Sequence, residues 1–405
     1  MINSYLLKIS LSNLKKRKLR SFLTILSVFI GVIALFVLVS FGQGLVGFVD
    51  DFATKMGDDK IIIQPKGTGL GPPSPDSNIV FSQRELNFVE DISGVEEASG
   101  IYFSVTEVEF EERKKYIYII GSDIKDHKKL IEEVYSLEID IGRELKGKEK
   151  KDAVLGYGYS IDDGTFPSEV KLGDKLLVNG IEVRVKGFYE EVGNPVDDYN
   201  IYLTLNGFEE IFSPSAYQSI VVRSSPGEEP SKLAKTIQEE LRKERGQSRG
   251  NEDFFVETFE QVIKSFTSIL STINIVLILI ALISLIVAGV NIANTMYASV
   301  LERTRDIGVM KAIGAKNNLI LTTFALESGF LSLIGGVLAT IVGTLISISA
   351  GKLVANSGYG MLSPALSLKL YLGCILFSVF IGIFAGLLPA YRASKMNPVD
   401  ALRYE

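Results

Sequence analysis

Residues 265–301 read SFTSILSTINIVLILIALISLIVAGVNIANTMYASVL, without one charged side chain. A helix rises about 1.5 Å per residue, so roughly 20 apolar residues cross a hydrocarbon core about 30 Å thick. This stretch is long enough to span a bilayer and lacks the polar face a soluble helix would turn to water. Working outward, residues 21–49, 328–351 and 370–391 are also free of charge. Four spans predict an α-helical membrane protein. The first is too long for a cleaved leader, has no small-residue cleavage site after it, and three more spans follow.

Charge orients the chain. Residues 1–20 carry Lys8, Lys15, Lys16, Arg17, Lys18 and Arg20 and no acid; residues 302–317 carry Arg303, Arg305, Lys311 and Lys316; residues 392–405 carry Arg392, Lys395 and Arg403. Basic flanks stay cytoplasmic, and all three fall on one side if there are four spans. Both termini are therefore expected in the cytoplasm of a multi-pass protein of the cell membrane. Residues 50–264 are then extracytoplasmic. They hold 43 of the 48 acids and 27 of the 42 basic residues, giving that segment −16 and the remainder +10. An acidic outer domain argues against nucleic acid as a partner and against a grip on anionic lipid.

Within that domain, Lys60–Pro65 reads as a strand and Gly67–Ser77 as a Gly/Pro/Ser-rich loop. Ser82 with Glu85 forms a capping box opening a helix to about Ile92. Strands are expected near 95–110 and 115–121. Asn179-Gly180, between Lys175–Val178 and Ile181–Phe188, is a hairpin signal. Strand Tyr217–Arg223, helix Ser231–Arg245 and strand Phe254–Thr258 make a β-α-β unit, and Thr258 with Gln261 caps a helix running into the second span. The expected domain is α+β, a mixed α/β lobe built from both ends with a β-rich lobe inserted at about 100–200. The remaining segments are an amphipathic helix in 1–20 (Leu7, Leu11 and Leu14 on one face of 4–18) or merely a basic flank, a membrane-proximal extension within 265–301, a loop at 302–317, a third span over 318–351, and a short outer loop at 352–369.

Chemistry is sparse. No GxxxxGK[ST] phosphate loop occurs; Gly147-Lys148 and Gly351-Lys352 lack the upstream glycine and the hydroxyl. Cys374, the single cysteine, lies in the fourth span, so no intrachain disulfide forms. His127, the single histidine, sits among Asp126, Lys128 and Lys129 as on a solvated surface. Asp162-Asp163 and Asp197-Asp198 read as solvated turns rather than calcium loops. No catalytic or metal site is expected. Glu327, near the inner end of the third span, is expected to pair with a basic neighbour or reach the interface. Gly382 and Gly386 of the fourth span, and Gly335 and Ala339 of the third, allow close helix approach, within the bundle or between subunits.

The loop ERTRDIGVMKAIGAK (302–316) places Ile307, Met310 and Ile313 at helical spacing among charges. That suits docking into a groove of a soluble partner, or a turn resting on headgroups. The tail has Asn397 as N-cap, Pro398 at the first helical position and Asp400 following.

ERTRDIG (302–308) with KAIGA (311–315), and LPAYRAS (388–394) with NPVDALRYE (397–405), resemble the MacB/FtsX-type permeases of ABC transporters. Asn13-Leu, LRSFLT (19–24), Gly31-Val, and AVLG (153–156) with LGD (172–174) are similar too. The resemblance implies a homodimer or related heterodimer of four-span subunits with a bipartite extracytoplasmic domain. It also implies an ABC ATPase partner that binds the ATP and magnesium; no cofactor is expected on this chain. The chain begins almost at its first span, so that ATPase is expected on a separate chain, contacting Glu302, Arg303, Arg305, Asp306, Ile307, Gly308, Met310, Lys311 and Gly314. ATP binding would close the ATPase subunits, and the loop would carry that closure to the membrane, driving export or release of substrate. The alternatives are an FtsX-like transmitter acting on an extracytoplasmic partner protein, and a membrane-anchored enzyme or receptor. Loops 66–78 and 190–200 show no recognisable ligand chemistry.

Overall fold

The computed structural model describes residues 18–66, 79–161, 165–214, 216–356 and 360–402. The in-plane helix expected over 4–18, save its last residue, lies outside these, as do the loop Gly67–Ser77, Asp162-Asp163 and Arg403. The chain forms two compact units: Met1–Leu45, Leu270–Lys352 and Ser363–Glu405, and Val46–Ile269 with Leu353–Leu362.

The first unit is built on four helices long and apolar enough to cross a membrane. They lie in the helices Lys18–Met56, Phe259–Glu302, Asn317–Asn356 and Leu368–Ser394, called spans 1 to 4. Between spans 2 and 3 sits a loop helix, Thr304–Ala312, and after span 4 a tail helix, Pro398–Leu402. Lipid gives no hydrophobic drive for helices to associate, so small residues and polar contacts must hold them. The Asn291 amide donates to Ser27 Oγ, and that of Asn274 to the Gly42 carbonyl at 3.3 Å. Both contacts join span 2 to span 1. Ser378 Oγ of span 4 donates to the Ser332 carbonyl of span 3 at 3.2 Å.

The second unit is a core domain on one sheet of ten strands. They are β1 (Lys60–Pro65), β2 (Val95–Phe110), β3 (Arg113–Ser122), β4 (Ile139–Gly142), β5 (Asp152–Leu155), β6 (Lys175–Val178), β7 (Ile181–Tyr189), β8 (Ile201–Thr204), β9 (Ser219–Ser224) and β10 (Phe254–Thr258). The order is β10-β1-β9-β2-β3-β8-β5-β7-β4, with β6 pairing β2 and β7. Strands β9 and β10 both pair antiparallel with β1 and so run parallel to each other, joined by the helix Pro230–Glu244. This is the expected β-α-β unit, with β1 slotted between its strands. The β6–β7 hairpin turns at Asn179 (φ 51°) and Gly180 (φ 77°), the paired positive values a two-residue type I′ turn requires. Both capping boxes form. Ser82 Oγ accepts from the Glu85 N–H at 3.3 Å while the Ser82 N–H donates to the Glu85 carboxylate at 2.7 Å. Thr258 and Gln261 reciprocate at 3.1 Å each way.

The two lobes share that one sheet. Sixteen-residue β2 pairs β9 through its first half, β6 near its end and β3 through most of its length. One face of the sheet buries Ile61, Val89, Tyr102, Leu176, Phe208 and Ile237. The other buries Phe103, Ile120, Leu130, Val154, Tyr202 and Phe259. The helix Lys128–Tyr135 supplies Leu130, Ile131 and Val134 to the second face, so its neighbour His127 is not on a solvated surface. His127 is half-buried, with Nδ1 3.1 Å from the Glu97 carboxylate. Glu97 also accepts from Arg223 Nε at 2.7 Å, and Arg223 and buried Lys60 share Glu133 and Asp59.

Asp198 departs from its expected solvated state as well, and Asp197 is half-buried. Asp198 is buried and accepts from the backbone N–H groups of Val192 and Gly193 at 2.8 and 2.9 Å. Burial pushes its carboxyl up to about 6 against those donors. Among the described residues no group of three or more His, Cys, Asp or Glu is placed to hold a metal ion.

Candidate functional site

The span 2 helix ends at Glu302, and the backbone leaves helical geometry at Arg303 (φ −108°, ψ 15°). The loop helix starts at once, with the Ile307 N–H donating to the Arg303 carbonyl at 2.9 Å. Asp306 in its first turn meets the positive end of the helix dipole. Its other end is closed by Gly314 (φ +96°), with the Gly314 and Ala315 N–H groups donating to the Lys311 and Met310 carbonyls, both at 3.0 Å. Glycine takes that left-handed conformation without strain. Gly314 therefore terminates the helix.

The helix is sharply two-sided. Its inner face is Thr304, Ile307 and Gly308, all buried, with Ile307 0 % exposed. Met310 is half-buried against the apolar centre of the span bundle. Lys311 Nζ reaches the Met396 carbonyl at 2.7 Å, tying the helix to the chain after span 4. The guanidinium of Arg392 lies 5.1 Å from the ring centre of Tyr297, linking spans 4 and 2. Arg303 also turns inward. Its two terminal nitrogens donate to the two oxygens of Glu327 on span 3, at 3.0 and 3.1 Å, and Glu327 is only 4 % exposed. This is the basic partner expected for Glu327, supplied by a residue expected at the ATPase contact.

The outer face is Glu302, Arg305, Asp306, Val309, Ala312, Ile313 and Lys316, all exposed. Val309 is 47 % and Ile313 81 % exposed, an apolar pair among charges. The expected stripe Ile307, Met310 and Ile313 is thus displaced. Of the nine residues assigned to the ATPase contact, Glu302, Arg305 and Asp306 stand on the exposed face. Arg303, Ile307 and Gly308 do not, Met310 and Lys311 are partly covered, and Gly314 closes the helix. Spacing alone marked an apolar stripe; the break at Arg303 and the pull of Glu327 set which way it turned. Spacing did not mark Val309 as exposed, because it lies next to the stripe in sequence and about 100° away on the helix.

Within the chain, the small residues of the spans lie directly against neighbouring spans. A Cβ on Gly382 would overlap Ser332 and come within 2.9 Å of the Ser328 carbonyl; one on Gly386 would overlap Ser328. A Cβ on Gly335 would meet the Ile25 carbonyl and the Val28 Cβ, each at 3.0 Å. Ala339 is fully buried. Span 3 thus lies against span 4 through one set of small residues and against span 1 through another.

Residues 21–240 match the family described as the MacB-like periplasmic core domain, and residues 278–398 the FtsX-like permease C-terminal family. An uncharacterised ABC transporter permease of Methanocaldococcus jannaschii is 34 % identical over 97 % of this chain and 96 % of its own length. A macrolide export ATP-binding/permease protein, MacB 2 of Aeromonas hydrophila, is 28 % identical over 98 % of this chain. The match covers 60 % of that relative, so this chain spans about three fifths of it. The periplasmic region of MacB from Actinobacillus actinomycetemcomitans aligns with 53 % of this chain and 94 % of that structure, at 18 % identity and a TM-score of 0.42. With four apolar helices, a core domain matched by the one family and a C-terminal half matched by the other, the chain belongs to the MacB/FtsX-type ABC transporter permeases.

Proposed function

We propose that this permease carries work from a separate ATP-hydrolysing subunit, docked on the outer face of the loop helix, to the core domain on the opposite side of the membrane. Two permease subunits pair with the ATPase subunits, and ATP and magnesium stay on the latter. Closure of the ATPase pair moves the loop helices, and the resulting motion of the core domains drives export or release of a substrate. The loop side faces the cytoplasm, as the basic residues around it favour.

The observation that carries this reading is the two-sidedness of the loop helix. Its inner side is held to the spans by Ile307 and the Arg303–Glu327 pair and to the chain after span 4 by Lys311, while Val309 and Ile313 are left in the open beside Arg305 and Asp306. A helix held this way transmits a push instead of absorbing it. The placement of the ATPase on its own chain is supported by the Methanocaldococcus relative, which is named a permease and is matched over 96 % of its length.

The test is Val309→Asp with Ile313→Asp in proteoliposomes reassembled with the ATPase subunit. Burying each of these side chains is worth about 1.5–3 kcal/mol, so ATPase stimulation by the permease should fall at least tenfold while membrane insertion is kept. Stimulation at the wild-type level would contradict the docking face.

A further inference from the structure

The core domain contains a cavity of about 260 Å³ on the sheet face that Phe103, Ile120 and Val221 cover. Its walls are completed by Phe52 and Met56 at the end of the first long helix and by Phe259 and Val262 at the start of the second. One end is polar, formed by Asn194, Asp197 and Asn200 in the segment before β8. Exposed Val196 is part of the lining, so the cavity opens to solvent on that side.

Asp197 gives this space a chemical preference. Asn194 Nδ2 donates to Asp197 Oδ2 at 2.8 Å; among the described residues Oδ1 receives no hydrogen bond. Among the described residues lining the cavity there is no lysine or arginine, and Asp197 is the one carboxylate. Burial, with the neighbouring charge of Asp198, pushes the Asp197 carboxyl up to about 7. A carboxylate in apolar surroundings without a counter-ion is held in an unfavourable charged state, and a cation brought to it removes that penalty. A neutral or anionic guest does not. The rest of the cavity rewards an apolar body.

We propose that this cavity is a binding site for a small organic cation, an aromatic or branched-alkyl body carrying an ammonium head that Asp197 receives. A cavity near 150 Å³ holds one benzene ring, so this one encloses a body of roughly nine to fifteen heavy atoms. The guest would be held between the sheet and the helix segments bearing Met56 and Phe259. The lining residues all belong to the core-domain unit, and occupancy of the site does not depend on the ATPase reading.

The test uses the full chain in lipid nanodiscs, with empty nanodiscs as the baseline for partition into lipid. Calorimetric titration compares phenethylammonium with 2-phenylethanol, nearly the same shape without the charge, on wild type and on Asp197→Asn. Wild type should bind the ammonium at least tenfold more tightly than the alcohol. In Asp197→Asn that preference should vanish while the alcohol binds as before. The wild-type comparison alone decides the matter should the variant fail to assemble. Equal binding of the two probes to wild type, binding of neither, or a preference that survives in Asp197→Asn would each overturn the assignment.

Discussion

Arg303 and Glu327 form a buried, bidentate ion pair between the start of the loop helix and span 3. Removing one partner from such a pair leaves an uncompensated charge and costs about 3–5 kcal/mol, whereas replacing both by apolar groups is often neutral. Glu327→Leu alone should therefore sharply lower the temperature at which detergent-solubilised protein aggregates, and Arg303→Met combined with Glu327→Leu should recover most of the loss. Heating steps followed by size-exclusion chromatography read this directly; a single variant as stable as wild type would show that the pair holds nothing. Sequence made half of this contact legible, since a carboxylate ten residues into an apolar helix demands a partner. Which of the nearby cations answers it was not legible, because Arg303, Arg305, Lys311 and Lys316 all carry a positive charge near it in sequence and only the backbone break at Arg303 aims one of them inward. Asp197 was misread for a related reason. An Asp-Asp pair in a polar stretch looks solvated, and only the fold buries Asp198 and sets half-buried Asp197 in the cavity wall.

Elements with local signals were legible in full. The type I′ hairpin at Asn179-Gly180 and the two capping boxes rest on contacts within a few residues, so the sequence around them contains the whole cause. The helix Lys128–Tyr135 was not read, because its lysines and glutamates mask an apolar face that shows only once Leu130, Ile131 and Val134 meet the sheet. In the spans, small residues marked close approach but not the helix approached. The structure separates them by their surroundings: a side chain on Gly382 meets Ser332 and the Ser328 carbonyl, while Gly373 in the same helix has nothing within 4 Å. Forcing volume into a packed interface costs about 1–3 kcal/mol, and a change at an unpacked position stays within about 0.5 kcal/mol. Gly382→Val should thus lower thermal stability measurably and Gly373→Ala should not. Equal effects would mean that the contact between spans 3 and 4 is not the one described.

At the scale of the whole molecule, the four apolar helices and the intervening α/β domain followed from hydrophobic length and strand patterning. The continuity of the sheet did not follow. A strand as long as β2, pairing different partners along its length, reads locally like any other strand, and its role in joining two lobes depends on pairings distant in sequence. Work passes from a docked ATPase to the core only if the core domain and the loop helix lie on opposite sides of a membrane. Tyr116 and Ile313 are the positions to interrogate, being 78 % and 81 % exposed. In a Cys374→Ser background, Tyr116→Cys and Ile313→Cys are labelled in intact cells with a membrane-impermeant maleimide, then again after permeabilisation. Position 116 should react in intact cells and position 313 only after permeabilisation; reaction of both under the same condition would contradict transmission across the membrane.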